Sequence, residues 1–499
     1  MSRAQRLVYW QTGLRMWQEH PWFGVGPGMT GFAYPQYRAE NAPWAGRVAQ
    51  QLHSTPVHLL AETGTWGFAA YLGWLGTCAW SLWRSLGSTH SSVAALGGAL
   101  VGYGIASLTD FQLENPAISA TLVLLVAELV RIRGSRTSSA LRLRPLGLGI
   151  LLCVAIGWGR IDWAWWESER AFAAAWKRDW VQFTDRLHVA QSIDPAQPYY
   201  PLQQAVLLAR EARQMPEGDR RTWLLANATL GADRAVHLLE HDPQSLTIAG
   251  WLHLYRSDLT GAAAFFERAL QLDATTTPTL HLGMGMVQLA GGKIDNAVLH
   301  LSREVVLFPA QWADERWQTA PLAALRPRVA AEALRFYEPL LRQYPTDADL
   351  RYQRAMLYIW AGEYDHARQD LQAIPAQASP WPGAPFALRL PSAIDASLIT
   401  GAHVLVSWQQ GRRSEAEQIL AKLKQQSPTR AACLARQLEV SSRIYLREQF
   451  TPGQDYFLLR RIGGGTLGYP EPVRLKTWAS VQCLHYTLDP SGRNFRLPL

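Results

Sequence analysis

Cysteine is scarce, with four residues in a chain of 499. None sits in a Cys-x-x-Cys pair or beside a histidine at ligand spacing, so the common zinc and haem signatures are excluded. No metal and no cofactor is expected. Cys78 and Cys153 fall in apolar runs, where cysteine reads as a small buried hydrophobe. Cys433 and Cys483 fall in the polar part, and a disulfide between them stays open. A secretory leader is also missing, since residues 1–20 hold Arg3, Arg6, Arg15, Glu19 and His20 and no apolar core segment. No basic run interleaves with aromatics, so a net charge of +8 does not point to nucleic acid. The triple glycine of IGGGTLGYPEP lacks a following Lys-Ser/Thr, which removes the phosphate-loop reading.

Tryptophan, by contrast, is abundant at 22 residues. Many tryptophans border a stretch with few charges, among them Trp22, Trp66, Trp83, Trp158, Trp163, Trp165 and Trp166, as interfacial anchors do. Within that stretch four segments have the length and apolarity of spanning helices: Thr65–Trp83, Val93–Leu108, Pro116–Val130 and Pro145–Trp163. The arginine-rich loop RIRGSRTSSALRLR after the third puts that loop in the cytoplasm by the positive-inside rule. Residues 1–64, the Thr109–Asn115 turn and everything after the fourth segment then face outward. The expected division is an extracytoplasmic loop with interfacial helices at 1–64, membrane helices at 65–165, a repeat domain at 166–450 and a C-terminal extension at 451–499.

From about Trp166 apolar residues recur at helical spacing, with a period of about 35 residues. SDLTGAAAFFERALQLD places Ala262, Phe266 and Ala269 on one helix face. GKIDNAVLHLSREVVLFP places Ala297 and Leu301 in the same phase. GEYDHARQDLQAIP gives Ala367, Leu371 and Ile374. GRRSEAEQILAKLKQQSP gives Ala416, Leu420 and Leu423, with Pro428 as a stop. A small residue at the first position lets paired helices approach closely. This pattern resembles the tetratricopeptide family, an α-solenoid whose concave surface binds a protein partner and carries no chemistry of its own. The fold class is all-α.

Residues 1–67 are the part that could carry chemistry. Leu7, Trp10, Leu14 and Trp17 share a helix face suited to the membrane interface. PWFGVGPG (Pro21–Gly28) ends that helix, with Gly24, Gly26 and Gly28 unable to continue it. In QLHSTPVHLLAETGTWG, Ser54 or Thr55 caps a helix opening at Pro56, and Gly64 closes it. His53 then sits at a helix N-terminus, where the dipole disfavours its protonated form and free amides seat an anion.

Arg6-x-x-x-Trp10, the PWFGVGPG turn, His53-Ser54 and Leu59-Leu60-Ala61-Glu62-x-Gly64-x-x-Gly67 together resemble the O-antigen ligase and polymerase family of bacterial membrane glycosyltransferases. Thr109-Asp110-Phe111 with Asn115-Pro116 is similar to the family's next outer loop. The resemblance covers about residues 3–135, with Ser54 where asparagine is commoner. It implies transfer of a glycan from a polyprenyl-pyrophosphate carrier to an acceptor hydroxyl, of a glycan or a protein, on the outer face of the cytoplasmic membrane. Arg6 would bind pyrophosphate, because a guanidinium fork suits departing charge. His53 would take the acceptor's proton. Arg15, Ser54 and Trp10 would help bind substrate, although Arg15 has a bland alternative in an i,i+4 pair with Glu19. Glu62, Gly24, Gly26, Gly28 and Gly64 would be structural, Glu62 with an arginine as a candidate partner. His58 is expected at the interface, and Asp110 as a cap or an ion-pair partner. Family members carry further membrane helices ahead of the arginine–tryptophan motif. The expectation is therefore a fragment, or one half of a split enzyme. A non-catalytic membrane scaffold whose repeats recruit envelope proteins is the alternative from another class, and a solute carrier is a third reading.

Overall fold

A computed structural model of the chain describes residues 3–38, 51–85, 92–110, 116–133, 138–274, 277–308, 317, 319–374 and 396–440. Among them every regular element is a helix. Two compact units part between Asp242 and Pro243.

The first unit holds α1 (Arg3–Glu19), α2 (Thr30–Tyr37), α3 (Thr55–Ser85), α4 (Ser92–Thr109), α5 (Pro116–Arg133), α6 (Ser138–Trp176), α7 (Trp180–Ile193), α8 (Tyr199–Arg213) and α9 (Asp219–Leu238). The first five pack around α3, while α6 pairs with α7 and α8 with α9. The face that α1 buries is not the one its apolar spacing suggests. Tyr9, Thr12, Gly13 and Met16 are buried, whereas Leu7 and Leu14 are 47% and 39% exposed. Close approach explains the shift, because a Cβ on Gly13 would meet Leu52 Cδ1 at 2.5 Å and Val57 Cγ1 at 2.8 Å. A glycine and a threonine line this seam, and neither registers in a count of apolar residues.

The four apolar segments lie within α3, α4, α5 and α6. Even so, among the described residues no helix is long and apolar enough to cross a membrane. The composition gives the reason. α3 is broken at Gly64 and holds His58, Glu62 and Arg84, while α5 ends in Glu128, Arg131 and Arg133. α4 has 18 residues, about 27 Å of helix against a hydrocarbon layer of about 30 Å. Phe111, Asn115, the pairing of Cys433 with Cys483 and the stretch 451–499 all lie outside the described residues.

The second unit holds α10 (Pro243–Tyr255), α11 (Leu259–Leu272), α12 (Leu280–Ala290), α13 (Ile294–Leu307), α14 (Leu322–Gln343), α15 (Ala348–Ala361), α16 (Tyr364–Gln372), α17 (Ala396–Gln409), α18 (Arg413–Gln426) and α19 (Pro428–Val440). Successive helices pair as hairpins, α10 with α11, α12 with α13, α15 with α16 and α17 with α18. Ala262, Phe266, Ala269, Ala297, Leu301, Ala367, Leu371, Ile374, Ala416 and Leu423 are all buried. Pro428, expected as a stop, opens α19, where its fixed φ and missing N–H cost nothing.

One turn recurs between paired helices. A single residue turns left-handed at Ser257 (φ 62), Gly292 (φ 74), Gly362 (φ 86) and Gly411 (φ 75). The N–H of the next residue then reaches back five positions, as in Asp258 to His253 O (3.0 Å) and Arg412 to Ser407 O (2.9 Å). This is the Schellman closure, which satisfies carbonyls that the helix end would orphan. The same turn joins α6 to α7 in the first unit, with Arg178 at φ 58 and Asp179 N–H bonded to Ala174 O at 3.0 Å.

Candidate functional site

The site is assembled by an exchange of backbone hydrogen bonds. In an unbroken helix Thr65 N–H would bond Ala61 O and Trp66 N–H would bond Glu62 O. Gly64 breaks α3 with φ 65 and ψ −163, and both pairs separate. The Pro21–Gly26 turn supplies the replacements. Val25 N–H bonds Ala61 O (2.8 Å) and Gly26 N–H bonds Glu62 O (3.0 Å). In return, Thr65 N–H bonds Pro21 O (2.8 Å) and Trp66 N–H bonds Trp22 O (3.4 Å). Such close backbone contact leaves no room for side chains. A Cβ on Gly24 would meet the Glu62 carbonyl, and one on Gly64 would meet the Trp22–Phe23 peptide. Gly64 therefore kinks α3 without ending it, since the helix resumes and runs to Ser85.

Glu62 locks the same joint from its side chain. It is buried and accepts from Gly28 N–H (2.9 Å), Thr30 N–H (3.2 Å) and the Thr30 hydroxyl (2.7 Å). Its ionisable neighbour is His58, with Nε2 at 3.3 Å, rather than an arginine. His58 is itself 1% exposed, which corrects the expectation of an interfacial residue. Burial alone would raise the Glu62 carboxyl. The His58 bond and charge, the Gly28 amide and Thr30 outweigh burial and hold it below the ordinary carboxylate range.

One row of α1 faces α3 at i, i+4, i+7 and i+11. At its C-terminal end Trp17 Nε1–H donates to Thr65 Oγ1 (3.1 Å). Gly13 lies against Leu52 and Val57. Trp10 Nε1–H donates to the His53 carbonyl (3.3 Å). Arg6 is the next member of this row, one turn past the contact with His53. Its Nε is buried and has no hydrogen-bond partner among the described residues. Tyr9, on the adjacent row, lies parallel to the His53 ring with centroids 6.3 Å apart.

His53 precedes α3 with a left-handed backbone, φ 49. The end of α4 reaches it. Asp110 O accepts from Thr55 N–H and the Thr55 hydroxyl, each at 3.2 Å, and Asp110 Oδ1 lies 3.2 Å from His53 Nδ1. A carboxylate can only accept, so in the neutral imidazole this contact places the proton on Nδ1 and the lone pair on Nε2. Both side chains are open to a ligand, His53 at 35% and Asp110 at 53% exposure.

Trp10 and His53 are thus brought together, with Tyr9 and Asp110 added, and Arg6 lies one helical turn from Trp10 on the same face of α1. Arg15 is not part of this group. It lies on the far side of α1 and donates to Tyr37 O (3.2 Å), beside the His20–Tyr37 contact at 3.0 Å. Ser54 is buried behind His53, and its carbonyl accepts from His58 N–H (2.9 Å). Tyr9, Trp17, Thr30, His58 and Thr65 were not singled out in sequence as members of this framework. Only the Glu62–His58 i,i+4 spacing carried a readable signal. Among the described residues no three His, Cys, Asp or Glu side chains gather as a metal site.

No curated protein matches the chain. A solved tetratricopeptide repeat protein from Parabacteroides merdae matches at 14% identity, over 52% of this chain and 92% of that one, with a TM-score of 0.26. Two family models match: a tetratricopeptide repeat model at residues 330–382, and the O-antigen ligase model at residues 1–72, the segment that holds Arg6, Trp10, His53, Glu62 and the exchanged backbone joint.

Proposed function

We propose that this chain works as part of a membrane glycosyltransferase of O-antigen ligase or polymerase type. It moves a glycan from a polyprenyl-pyrophosphate carrier to an acceptor hydroxyl at the outer face of the bacterial cytoplasmic membrane. The observation that carries this reading is the meeting of Trp10, His53 and Asp110, from three separate elements, with Arg6 one helical turn from Trp10 on the same face of α1. His53 Nε2 has the lone pair a general base needs, with Asp110 fixing the tautomer. The acceptor oxygen attacks the anomeric carbon, its proton passes to Nε2, and the sugar–phosphate bond breaks. The electron pair leaves with the polyprenyl pyrophosphate, whose charge Arg6 holds. Arg6 enters this role with a buried donor that no described group satisfies.

The membrane assignment rests on outward-facing apolar side chains. Trp22, Phe23 and Trp66 are exposed at the kinked joint. Trp80, Trp83, Val101, Ile105, Leu108, Val123 and Leu124 are exposed on α3, α4 and α5. So much exposed apolar surface needs an apolar neighbour, and lipid is the neighbour that fits a glycan-carrier substrate. The repeats then stand outside the membrane, where they engage an acceptor protein or an assembly partner.

Complementation tests the proposal. The chain is expressed in a host lacking its own ligase and polymerase, alone and together with the reading frame upstream, and surface glycan is resolved on a gel. Glycan transfer should return, and His53→Ala and Arg6→Ala should each abolish it while the protein still reaches the membrane. If no glycan returns in either arrangement, the non-catalytic repeat scaffold becomes the better account.

A further inference from the structure

His53 is held between fixed neighbours, yet it is the one open residue of its stretch. Leu52, Ser54 and Thr55 are buried, while the His53 side chain is 35% exposed. Leu52 packs against Gly13 in the seam of α1, in a core cluster with Tyr9 and Met16. Thr55 is tied to the end of α4, since its N–H and its hydroxyl both donate to Asp110 O. Between these anchors the backbone turns left-handed at His53, φ 49, a region that a β-carbon disfavours. A residue in such a conformation persists only where its surroundings over-determine it.

We propose that Trp10 is a positioning residue: its indole N–H holds the His53 carbonyl, and with it the left-handed backbone that keeps the imidazole against Asp110. The bond runs from Nε1 to His53 O at 3.3 Å. This rests on the reading above for what His53 does, and it departs from the expectation that Trp10 binds substrate. An indole has a single donor, and here the protein itself takes it. No N–H is left for a saccharide hydroxyl. Stacking through the ring face needs no N–H, so the two roles can be told apart by removing that hydrogen alone.

Trp10 can serve as an anchor because its own place is set by the row it belongs to. One turn on, Gly13 lies against Leu52 and Val57, and two turns on, Trp17 donates to Thr65 Oγ1 (3.1 Å). Tyr9, the preceding residue, stands edge-on to buried Tyr34 with centroids 5.6 Å apart and parallel to the His53 ring. Two bonds then act on His53 from opposite ends. Trp10 takes the carbonyl, and Asp110 Oδ1 lies 3.2 Å from Nδ1. Without the indole N–H the backbone at His53 can leave the left-handed region. The ring is carried on the same Cα, so Nδ1 would part from Asp110. The proton would then divide between the two nitrogens, and Nε2 would lose its lone pair in part of the molecules.

The test replaces Trp10 in the full chain by benzothienylalanine, which keeps the shape of the indole and puts sulfur where the N–H was. Magnetic resonance of nitrogen-labelled histidine reads the rings in detergent at about pH 8.5, well above the ordinary imidazole value. The His53 signals are those missing from His53→Gln. The parent chain should show His53 protonated at Nδ1 and bare at Nε2, and the isostere should show both tautomers. An unchanged tautomer in the isostere would overturn the proposal. So would a general loosening, read as lost hydrogen-exchange protection at Val25, Gly26 and Thr65, because Trp10 would then only hold the fold together. In the complementation arrangement, membranes carrying the isostere should transfer glycan from the lipid-linked carrier with kcat down about tenfold and KM unchanged. A raised KM at unchanged kcat would instead make Trp10 a substrate-binding residue. The tautomer is read without any glycan, so a failed complementation and a failed clamp are separate results.

Discussion

The N-terminal joint and the repeats both rely on left-handed residues, yet they use them in opposite ways. In the repeats a left-handed residue closes a helix that has just ended, and every bond lies within five positions of it. A Cβ at Gly362 or Gly411 would meet nothing within 4 Å. At the joint, Gly64 opens a helix in mid-course so that its carbonyls serve a turn about 40 residues earlier in the chain. Local turns tolerate change because each stands alone. The joint does not, because four exchanged bonds and one buried carboxylate depend on two glycines.

The sharpest way to break this contrast is to substitute both kinds of glycine. Gly64→Ala combines a left-handed backbone with a collision against the Trp22–Phe23 peptide, and should cost about 3 kcal/mol or more. Gly411→Ala faces open space and should cost about 1 kcal/mol, for φ alone. Limited proteolysis of the full chain in detergent reads both. Gly64→Ala should expose cleavage near Pro21–Thr30, while Gly411→Ala should leave that region intact. Equal sensitivity would mean that the backbone exchange does not hold the joint.

Next in size is Glu62→Gln. The amide keeps one acceptor oxygen and would turn its NH2 towards either Gly28 N–H or Thr30, and it removes the carboxylate beside buried His58, at about 2 kcal/mol or more. Hydrogen exchange of the Gly28 and Thr30 amides checks this, with protection expected to fall at whichever of the two faces the new NH2.

Acid should separate the two regions by pH. Burial, then the His300 charge 3.0 Å away, push His281 in α12 down to about 4. Its neutral form is the folded one, so the stability it lends is complete above pH 6.5 and is lost as pH falls towards 4. Glu62, held below the carboxylate range, lends stability that starts to fall only below about pH 4.5 and goes as pH drops through its folded value. Hydrogen exchange at pH 5 should therefore show α12 and α13 loosened while Val25, Gly26 and Thr65 stay protected. The reverse order would overturn both assignments.

The same contrast explains what could be read in the sequence. Ala262, Phe266, Ala269 and their equivalents were legible because each helix pair buries its own small residues, and spacing alone reports that. The four apolar segments were legible as helices. The seam of α1 was not, because Gly13 is buried by what lies against it and Thr12 scores as polar. Leu7 and Leu14, which do score, face outward. His58 was misplaced for a related reason: its partner Glu62 is turned inward by a loop that helical counting does not see. Arg6, Trp10 and His53 could be named from a motif, but no spacing rule foretells that Trp10 holds the carbonyl of a residue 43 positions away.

The smallest expected effect sharpens the repeat side of the contrast. Ser257 is left-handed at φ 62, in the place that glycine occupies at 292, 362 and 411. A side chain there costs about 1 kcal/mol in the folded turn, partly offset by the extra freedom that glycine has when unfolded. Asp258, the next residue, already caps α11 by accepting from Gly261 N–H (2.9 Å), so the turn keeps its other bonds on substitution. Ser257→Gly should therefore stabilise the α10–α11 hairpin by about 0.5 kcal/mol, read as a small rise in the thermal midpoint of the second unit. Arg178→Gly should do the same for α6–α7, because that turn has the same five-residue closure. A loss of stability at either position would mean that the side chain contributes more to its turn than its backbone strain costs.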